Sequence, residues 1–129
     1  MDLLNKVCIL IPAYNAEQTL GSVLEKIRAL GMDMIVVNDG SVDETKRVAL
    51  EYGALLLEHP SNLGKGAALR TGFNYILGKD YQVVITLDAD GQHDPSEIPP
   101  LLRIFQSTKP DILICLLYTS DAADEEDSV

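Results

Sequence analysis

The chain has 129 residues, 47% of them hydrophobic, and carries 20 acidic and 10 basic side chains. This length allows one domain at most, and the acidic balance argues against nucleic acid as the main partner. Two cysteines give no disulfide framework and no zinc spacing, and no apolar run approaches the length of a membrane span. We therefore expect a reduced, cytoplasmic setting.

Apolar runs alternate with amphipathic stretches along the chain. Continuous apolar runs at 7–11, 34–37, 54–57 and 83–87 are typical of strands buried on both faces. Between and after them, apolar residues recur every three or four positions and predict helices over 15–31, 41–53, 67–78 and 95–106. Asn15 is the predicted cap of the first helix, and Ser41 with Glu44 forms a capping box for the second. Strands that alternate with helices predict a parallel sheet and an α/β fold.

The last fifteen residues differ in composition from the rest of the chain. Residues 115–129 carry five acidic side chains and no basic one, and no apolar period follows Leu117. Their first six residues also resemble one translated frame of a transposase end sequence that is used in sequencing libraries. We therefore expect residues 115–129 to be a non-native, disordered tail. Residues 1–114, with 15 acidic and 10 basic side chains, would be a domain truncated soon after a fifth strand begins at Asp111.

Two carboxylates follow the apolar run of residues 83–87. Side chains at i and i+2 of an extended segment point the same way, so Asp88 and Asp90 can converge at the carboxyl end of a buried strand. Two such charges roughly 5–6 Å apart repel by about 3 kcal/mol at an effective dielectric of about 20. Carboxylates, together with the amide oxygen of Gln92, are hard ligands that suit Mg or Mn.

A purely structural interpretation of this segment is also open. Asp94, Pro95 and Glu97 form a helix start with a cap, so we interpret Asp94 as structural. Asp88 and Asp90 precede that cap and are not needed for it. An EF-hand calcium loop is excluded, because glycine and glutamate do not occupy its sixth and twelfth positions.

Other polar residues also follow predicted strands. Asn62 to Gly66 leads into a helix and is either a phosphate-binding loop or a glycine turn, since it lacks the spacing of a P-loop. Asp39 lies in an Asn-Asp-Gly segment that favours a turn, so it is either a turn residue or a ligand-binding residue. His59 and His93 are each isolated, so a surface or loop role is the simpler interpretation. In parallel sheets ligands bind at the carboxyl ends of the strands, where these loops would meet.

Four segments together resemble the donor-site blocks of family 2 glycosyltransferases. They read I-P-A-Y-N-A-E at 11–17, V-V-N-D-G-S-V-D-E-T at 36–45, N-L-G-K-G-A-A-L-R-T-G at 62–72 and L-D-A-D-G-Q-H-D-P-S-E-I at 87–98. Within that family, the D-A-D-G-Q-H form is most similar to polyprenyl or dolichyl phosphate sugar synthases. The resemblance covers residues 6–114.

The resemblance implies a GT-A fold that binds a nucleotide-diphosphate sugar and a divalent cation, Mg or Mn. Residues 1–114 would then be the N-terminal, nucleotide-sugar-binding part of that domain. The matching nucleotide-sugar positions are Pro12, Tyr14, Val37, Asp39, Lys65, Asp88, Ala89 and Asp90, and the matching metal ligands are Asp90 and Gln92.

The resemblance also implies an acceptor, such as a polyprenyl phosphate. A lipid phosphate is already an anion and needs no strong general base. No residue of 1–114 is an evident general base, so we assign no catalytic residue. The intact protein would act at the cytoplasmic face of a membrane.

Two other classes remain open from the residues alone. One is a module that binds a nucleotide or nucleotide sugar without transferring anything. The other is a nucleotidyltransferase, which shares the sheet architecture but normally has a glycine-rich loop after the first strand. Residues 11–15 contain no glycine.

Overall fold

The computed structural model describes residues 7–91, 98–100 and 113–116, in which strands and helices alternate. The strands are β1 (Val7–Ala13), β2 (Asp33–Asp39), β3 (Leu55–His59), β4 (Val83–Thr86) and β5 (Leu113–Leu116). The helices are α1 (Leu20–Ala29), α2 (Thr45–Glu51) and α3 (Lys65–Leu77). Residues 98–100 are also helical. Among the described residues, no helix is both long and apolar enough to cross a bilayer.

All five strands are parallel and form one sheet in the order β3-β2-β1-β4-β5. The chain moves outward from β1 through β2 to β3, then returns to place β4 on the other side of β1. The strand order therefore reverses between β1 and β4, which is where ligands bind in open α/β sheets. The predicted α/β fold with a parallel sheet is confirmed.

The central strands are buried on both faces because helices cover both. Ile9 and Val36 face a core layer that includes α1 and α2, whereas Leu10, Ile35 and Val37 face α3. This explains why the strands are continuous apolar runs rather than alternating ones. Gly72 allows α3 to pack close to β1, since a β-carbon there would lie 2.3 Å from Cδ1 of Leu10.

β1 continues two residues beyond the predicted strand and includes Pro12. The backbone carbonyl of Leu10 accepts a hydrogen bond from the Leu87 N–H, so the backbone polar groups of Leu10 point toward β4. The backbone nitrogen of Pro12, two residues further on, points the same way, but the ladder between β1 and β4 ends at Leu10. Proline is tolerated here because its missing N–H lies where no partner strand remains.

The predicted start of α1 is wrong. α1 begins at Leu20, and Asn15 lies in the left-handed region with φ of 50°. Its side-chain oxygen accepts a hydrogen bond from the Val42 N–H at 2.9 Å. Asn15 therefore joins the first loop to the second instead of capping a helix.

The predicted capping box of α2 is also wrong. α2 begins at Thr45, and Glu44 makes no side-chain capping hydrogen bond. Asp43 accepts the Thr45 N–H at 2.9 Å, while Ser41 Oγ accepts the Asn15 N–H at 2.8 Å. A local bond to Asp43 and a bond between the two loops thus replace the predicted capping box.

The helix ends agree better with the sequence. Gly31 and Gly53 follow α1 and α2 with φ of 81° and 83°, and Gly78 follows α3. The predicted helix over 95–106 and its cap Asp94 lie outside the described residues, apart from 98–100.

β5 includes two residues that the sequence analysis placed in the tail. Cys115 and Leu116 pair with Ile85 and Thr86 of β4, because the parallel ladder continues past Ile114. The predicted boundary between 114 and 115 therefore falls inside a strand. The tail after Leu116 lies outside the described residues, so its disorder stays a prediction.

Candidate functional site

Two neighbouring clefts open at the carboxyl ends of the strands. The α1-side cleft, of about 590 Å³, is lined by Pro12, residues 14–19, Asp43, Lys65 and residues 88–90. The α3-side cleft, of about 450 Å³, is lined by residues 12–14, Asp39, Asn62, Gly64, Lys65, Ala68 and Asp88. Both lie at the carboxyl ends of the strands, where the loops were expected to meet, and beside the reversal of strand order at β1.

Lys65 and Asp88 border both clefts and are joined to each other. Lys65 Nζ lies 2.7 Å from Asp88 Oδ1, and their side chains are 50% and 17% exposed. From the sequence alone, Asp88 and Asp90 are expected to be a mutually repelling pair that attracts a cation. In the structure a lysine ammonium already offsets the charge of Asp88, whereas Asp90 is exposed and lines the α1-side cleft.

Asp39 ends β2 and is the most enclosed acidic group of the site. Its side chain is 4% exposed and accepts hydrogen bonds from the backbone N–H groups of Leu63 at 3.0 Å and Gly64 at 2.9 Å. Burial alone would raise the pKa of Asp39, but these bonds and one from His59 outweigh it and lower the pKa. Asp39 is therefore an ionised acceptor that fixes the loop before α3.

His59 is not on the surface, so its predicted role is wrong. It is the last residue of β3, pairs in register with Asp39, and its side chain is 9% exposed. Its Nδ1 lies 2.7 Å from Asp39 Oδ1, and its Nε2 lies 2.8 Å from Thr71 Oγ1 of α3. Alternation along β3 placed His59 on the same face as Leu57, a signal that the sequence analysis did not use. His93 lies outside the described residues.

Hydrogen bonds join the loop after β1 to the loop after β2. Thr45 is fully buried, and its Oγ1 accepts the Ala16 N–H at 2.8 Å. Asp43 Oδ2 accepts the Glu17 N–H at 3.1 Å, and Glu17 Oε1 accepts the Glu44 N–H at 2.9 Å. These contacts hold residues 15–17 as one wall of the α1-side cleft.

The segment with the paired acids is also tied to α1. Thr19 Oγ1 donates a hydrogen bond of 2.7 Å to the backbone carbonyl of Ala89. Because Ala89 lies between Asp88 and Asp90, this bond fixes the backbone that carries both carboxylates. Sequence reasoning missed Thr19, which no local motif distinguishes.

The structure brings most of the predicted nucleotide-sugar residues together. Those that line at least one of the two clefts are Pro12, Tyr14, Asp39, Lys65, Asp88, Ala89 and Asp90. Val37 does not line either cleft, since its side chain is fully buried in the layer that faces α3. Gln92 lies outside the described residues.

The family model for glycosyl transferase family 2 matches residues 8–128. The chain belongs to this family. Its curated relatives include a dolichyl-phosphate beta-glucosyltransferase of Trichomonas vaginalis, 37% identical over 64% of this chain and 30% of the relative. An undecaprenyl-phosphate 4-deoxy-4-formamido-L-arabinose transferase of Photorhabdus laumondii is 34% identical over 79% of this chain and 34% of the relative.

A solved structure of similar fold is glucosyl-3-phosphoglycerate synthase from Mycobacterium tuberculosis, in complex with Mn²⁺, UDP and glucosyl-3-phosphoglycerate. It matches this chain with a TM-score of 0.63 and 27% identity, over 77% of this chain and 39% of that one. The GT-A type of α/β fold implied by the resemblance is confirmed. The chain spans 30–48% of the length of the first curated relatives it matches.

The described residues fit a dication only in combination with a bound diphosphate. They contain no group of three or more His, Cys, Asp or Glu side chains that could hold a metal ion by itself. Asp88 and Asp90 nevertheless border one cleft. Mg²⁺ is usually bound by one or two carboxylates together with phosphate oxygens and water, so this donor set is adequate.

Proposed function

We propose that this part of the glycosyltransferase binds the nucleoside diphosphate portion of a nucleotide-sugar donor across the two clefts. The observation that supports this most is the meeting of Tyr14, Lys65, Asp88 and Asp90 at the reversal between β1 and β4. The α3-side cleft, which Asp39 borders, would take the base. The α1-side cleft, which Asp90 borders, would take the diphosphate and sugar.

Each charged group has a role that follows from its position. Lys65 begins α3, where backbone N–H groups and the helix dipole also favour an anion, and its ammonium can move from Asp88 to a phosphate oxygen. Asp90 and Asp88, with the predicted ligand Gln92, would hold a Mg or Mn ion beside the diphosphate. When bound, such an ion offsets the charge that develops on the departing diphosphate.

We further propose that the intact protein transfers the sugar to a polyprenyl phosphate at the cytoplasmic face of a membrane. The two relatives named above, at 34–37% identity, carry dolichyl phosphate and undecaprenyl phosphate in their names. A phosphate acceptor is an anion at neutral pH and can attack without a strong general base.

Calorimetric titration of UDP and GDP into the full chain, in Mn²⁺ and in chelator, tests the donor proposal. If the metal bridges Asp90 and the diphosphate, each ligand tightens the other by the same factor. We expect at least one nucleotide to bind about tenfold more tightly in Mn²⁺, and Asp90→Asn to remove this difference.

Asp94→Asn is the matched control, because Asp94 is predicted to be a helix cap and should leave the metal effect intact. Equal affinity in Mn²⁺ and chelator would refute the metal role. A full metal effect in Asp90→Asn would show that another group holds the ion.

A further inference from the structure

His59 lies outside the four segments that carry the family resemblance, and it forms a hydrogen-bonded chain with Asp39 and Thr71 beneath the α3-side cleft. The chain runs from Thr71 Oγ1 to His59 Nε2 at 2.8 Å, and from His59 Nδ1 to Asp39 Oδ1 at 2.7 Å. The Asp39 and His59 side chains are 4% and 9% exposed. A carboxylate, an imidazole and a hydroxyl in this order resemble the parts of a nucleophilic triad.

The position of Thr71 argues against nucleophilic chemistry. Thr71 lies inside α3, and its side chain does not line either of the two clefts. A nucleophile must lie within reach of a substrate atom and of oxyanion donors. The chain of hydrogen bonds therefore has a positioning role.

The protonation of the His59 ring follows from its two partners. An ionised carboxylate only accepts hydrogen bonds, so the Nδ1 atom that faces Asp39 must carry a proton. In the neutral ring Nε2 is then an acceptor, and the Thr71 hydroxyl donates to it. Asp39 thus fixes the tautomer in which His59 donates to it, and the Thr71 hydroxyl, which can donate or accept, adapts to that tautomer.

His59 in turn determines the direction of the Asp39 carboxylate. A carboxylate offers about four acceptor positions. In Asp39 three are used, by His59, the Leu63 N–H and the Gly64 N–H. The fourth belongs to a residue that lines the α3-side cleft, so it can serve a ligand there.

We propose that His59 is a positioning residue that holds Asp39 as an aimed acceptor and thereby selects nucleobases that present an N–H donor. This rests on the proposed donor site. Uracil and guanine carry such an N–H on their pairing edge, whereas cytosine carries an acceptor nitrogen at the corresponding position. Asp39 would bind the first two and reject the third, because two acceptors facing each other leave both unpaired.

Two substitutions of His59 separate its two hydrogen bonds. His59→Asn places an amide near the position of Nδ1 and keeps a donor toward Asp39. His59→Gln reaches toward the position of Nε2 and keeps the contact with Thr71 but not the donor to Asp39. The two variants are matched in polarity, and each is checked by its melting midpoint.

The measurement is the ratio of dissociation constants for CDP and UDP, and for CDP and GDP, in Mn²⁺ with the full chain. We expect at least one ratio to be tenfold or more in the wild type and in His59→Asn, and to fall below about threefold in His59→Gln. A purely structural defect would weaken all three nucleotides equally and leave the ratios unchanged. Unchanged ratios in His59→Gln, or equal losses in both variants, would overturn the proposal.

A second measurement applies even if a variant does not fold. The ¹⁵N chemical shifts of the wild-type imidazole distinguish the two neutral tautomers, and we expect the proton on Nδ1. A proton on Nε2 alone would overturn the proposal. If the wild type binds none of the three nucleotides, the donor site itself is wrong, whereas tight UDP or GDP binding with unchanged ratios refutes only the role of His59.

Discussion

Gly40 connects the folding of the site to its binding properties. It follows Asp39 with φ of 74°, and a β-carbon there would lie 2.3 Å from the carbonyl carbon of Ser61 and 2.5 Å from the Asn62 nitrogen. Both atoms are backbone, so they cannot avoid the clash by changing a rotamer. Gly40→Ala must therefore push the loop before α3 away from β2.

The expected cost has two parts. A non-glycine residue in the left-handed region costs roughly 1–2 kcal/mol. Movement of the loop also weakens the bonds from Leu63 and Gly64 to Asp39, and a hydrogen bond to a charged group contributes about 1.5–3 kcal/mol. We expect Gly40→Ala to lower the free energy of unfolding by about 3–5 kcal/mol, a large part of the roughly 5–15 kcal/mol typical of a domain.

Gly53→Ala is the matched control. Gly53 has φ of 83°, and nothing lies within 4 Å of a β-carbon built on it, so only the backbone cost of roughly 1–2 kcal/mol applies. Urea unfolding followed by circular dichroism gives both values, and nucleotide affinity is measured by calorimetry on the folded fraction. We expect Gly53→Ala to keep the wild-type affinity and Gly40→Ala to lose it. Equal destabilisation by the two substitutions would refute the docking of the loop on Asp39.

Three further predictions concern packing and ionisation. Gly72→Ala should destabilise the protein by about 1–2 kcal/mol because its β-carbon would lie 2.3 Å from Leu10 Cδ1. Gly66→Ala should instead stabilise the protein by up to about 1 kcal/mol, because nothing lies within 4 Å of a β-carbon built on Gly66. If urea unfolding shows that both substitutions change the free energy of unfolding in the same direction, this packing is contradicted. The thiol of Cys8 should resist alkylation in the Cys115→Ser variant until the protein unfolds. Burial and the nearby charge of Asp33 raise the pKa of this thiol to about 12, so little reactive thiolate forms. Rapid labelling of the native protein would disprove this. Burial tends to raise the pKa of Asp43, but hydrogen bonds from the Thr45 side chain and from backbone N–H groups lower it overall. The ionised Asp43 therefore stabilises the fold at neutral pH, and this contribution is lost as the pH falls below about 4. Asp43→Asn should therefore flatten the acid limb of stability below about pH 4, and an unchanged limb would contradict this.

The alternation of strands and helices was predictable because burial on both faces leaves continuous apolar runs. The four strands at 7–11, 34–37, 54–57 and 83–87 were all found, with ends displaced by one or two residues. Their common direction followed from the helical crossovers, and it placed Asp88 and Asp90 at the same edge as Asp39. The convergence of these loops at the carboxyl ends of the strands was therefore predictable from the alternation of strands and helices.

The contacts within the site were not predictable, because they join residues far apart in sequence. Asn15 and Ser41 satisfy local capping patterns but bind each other's loops across 26 residues. His59 appeared isolated because its partner Asp39 lies 20 residues earlier and meets it only through the register of β2 and β3. The pairing of Lys65 with Asp88 likewise depends on how α3 packs against the sheet.

The central claim is that the crevice between β1 and β4 binds a nucleoside diphosphate together with a dication held by Asp90. Its most direct test is a crystal of the full chain soaked with Mn²⁺ and UDP, and a second with GDP, examined by anomalous scattering at the manganese edge. We predict a manganese peak within about 2.0–2.3 Å of an Asp90 carboxylate oxygen, the usual range for hard dications and oxygen ligands, with the diphosphate in the α1-side cleft. A manganese peak away from Asp90, or a nucleotide bound outside both clefts, would contradict the account.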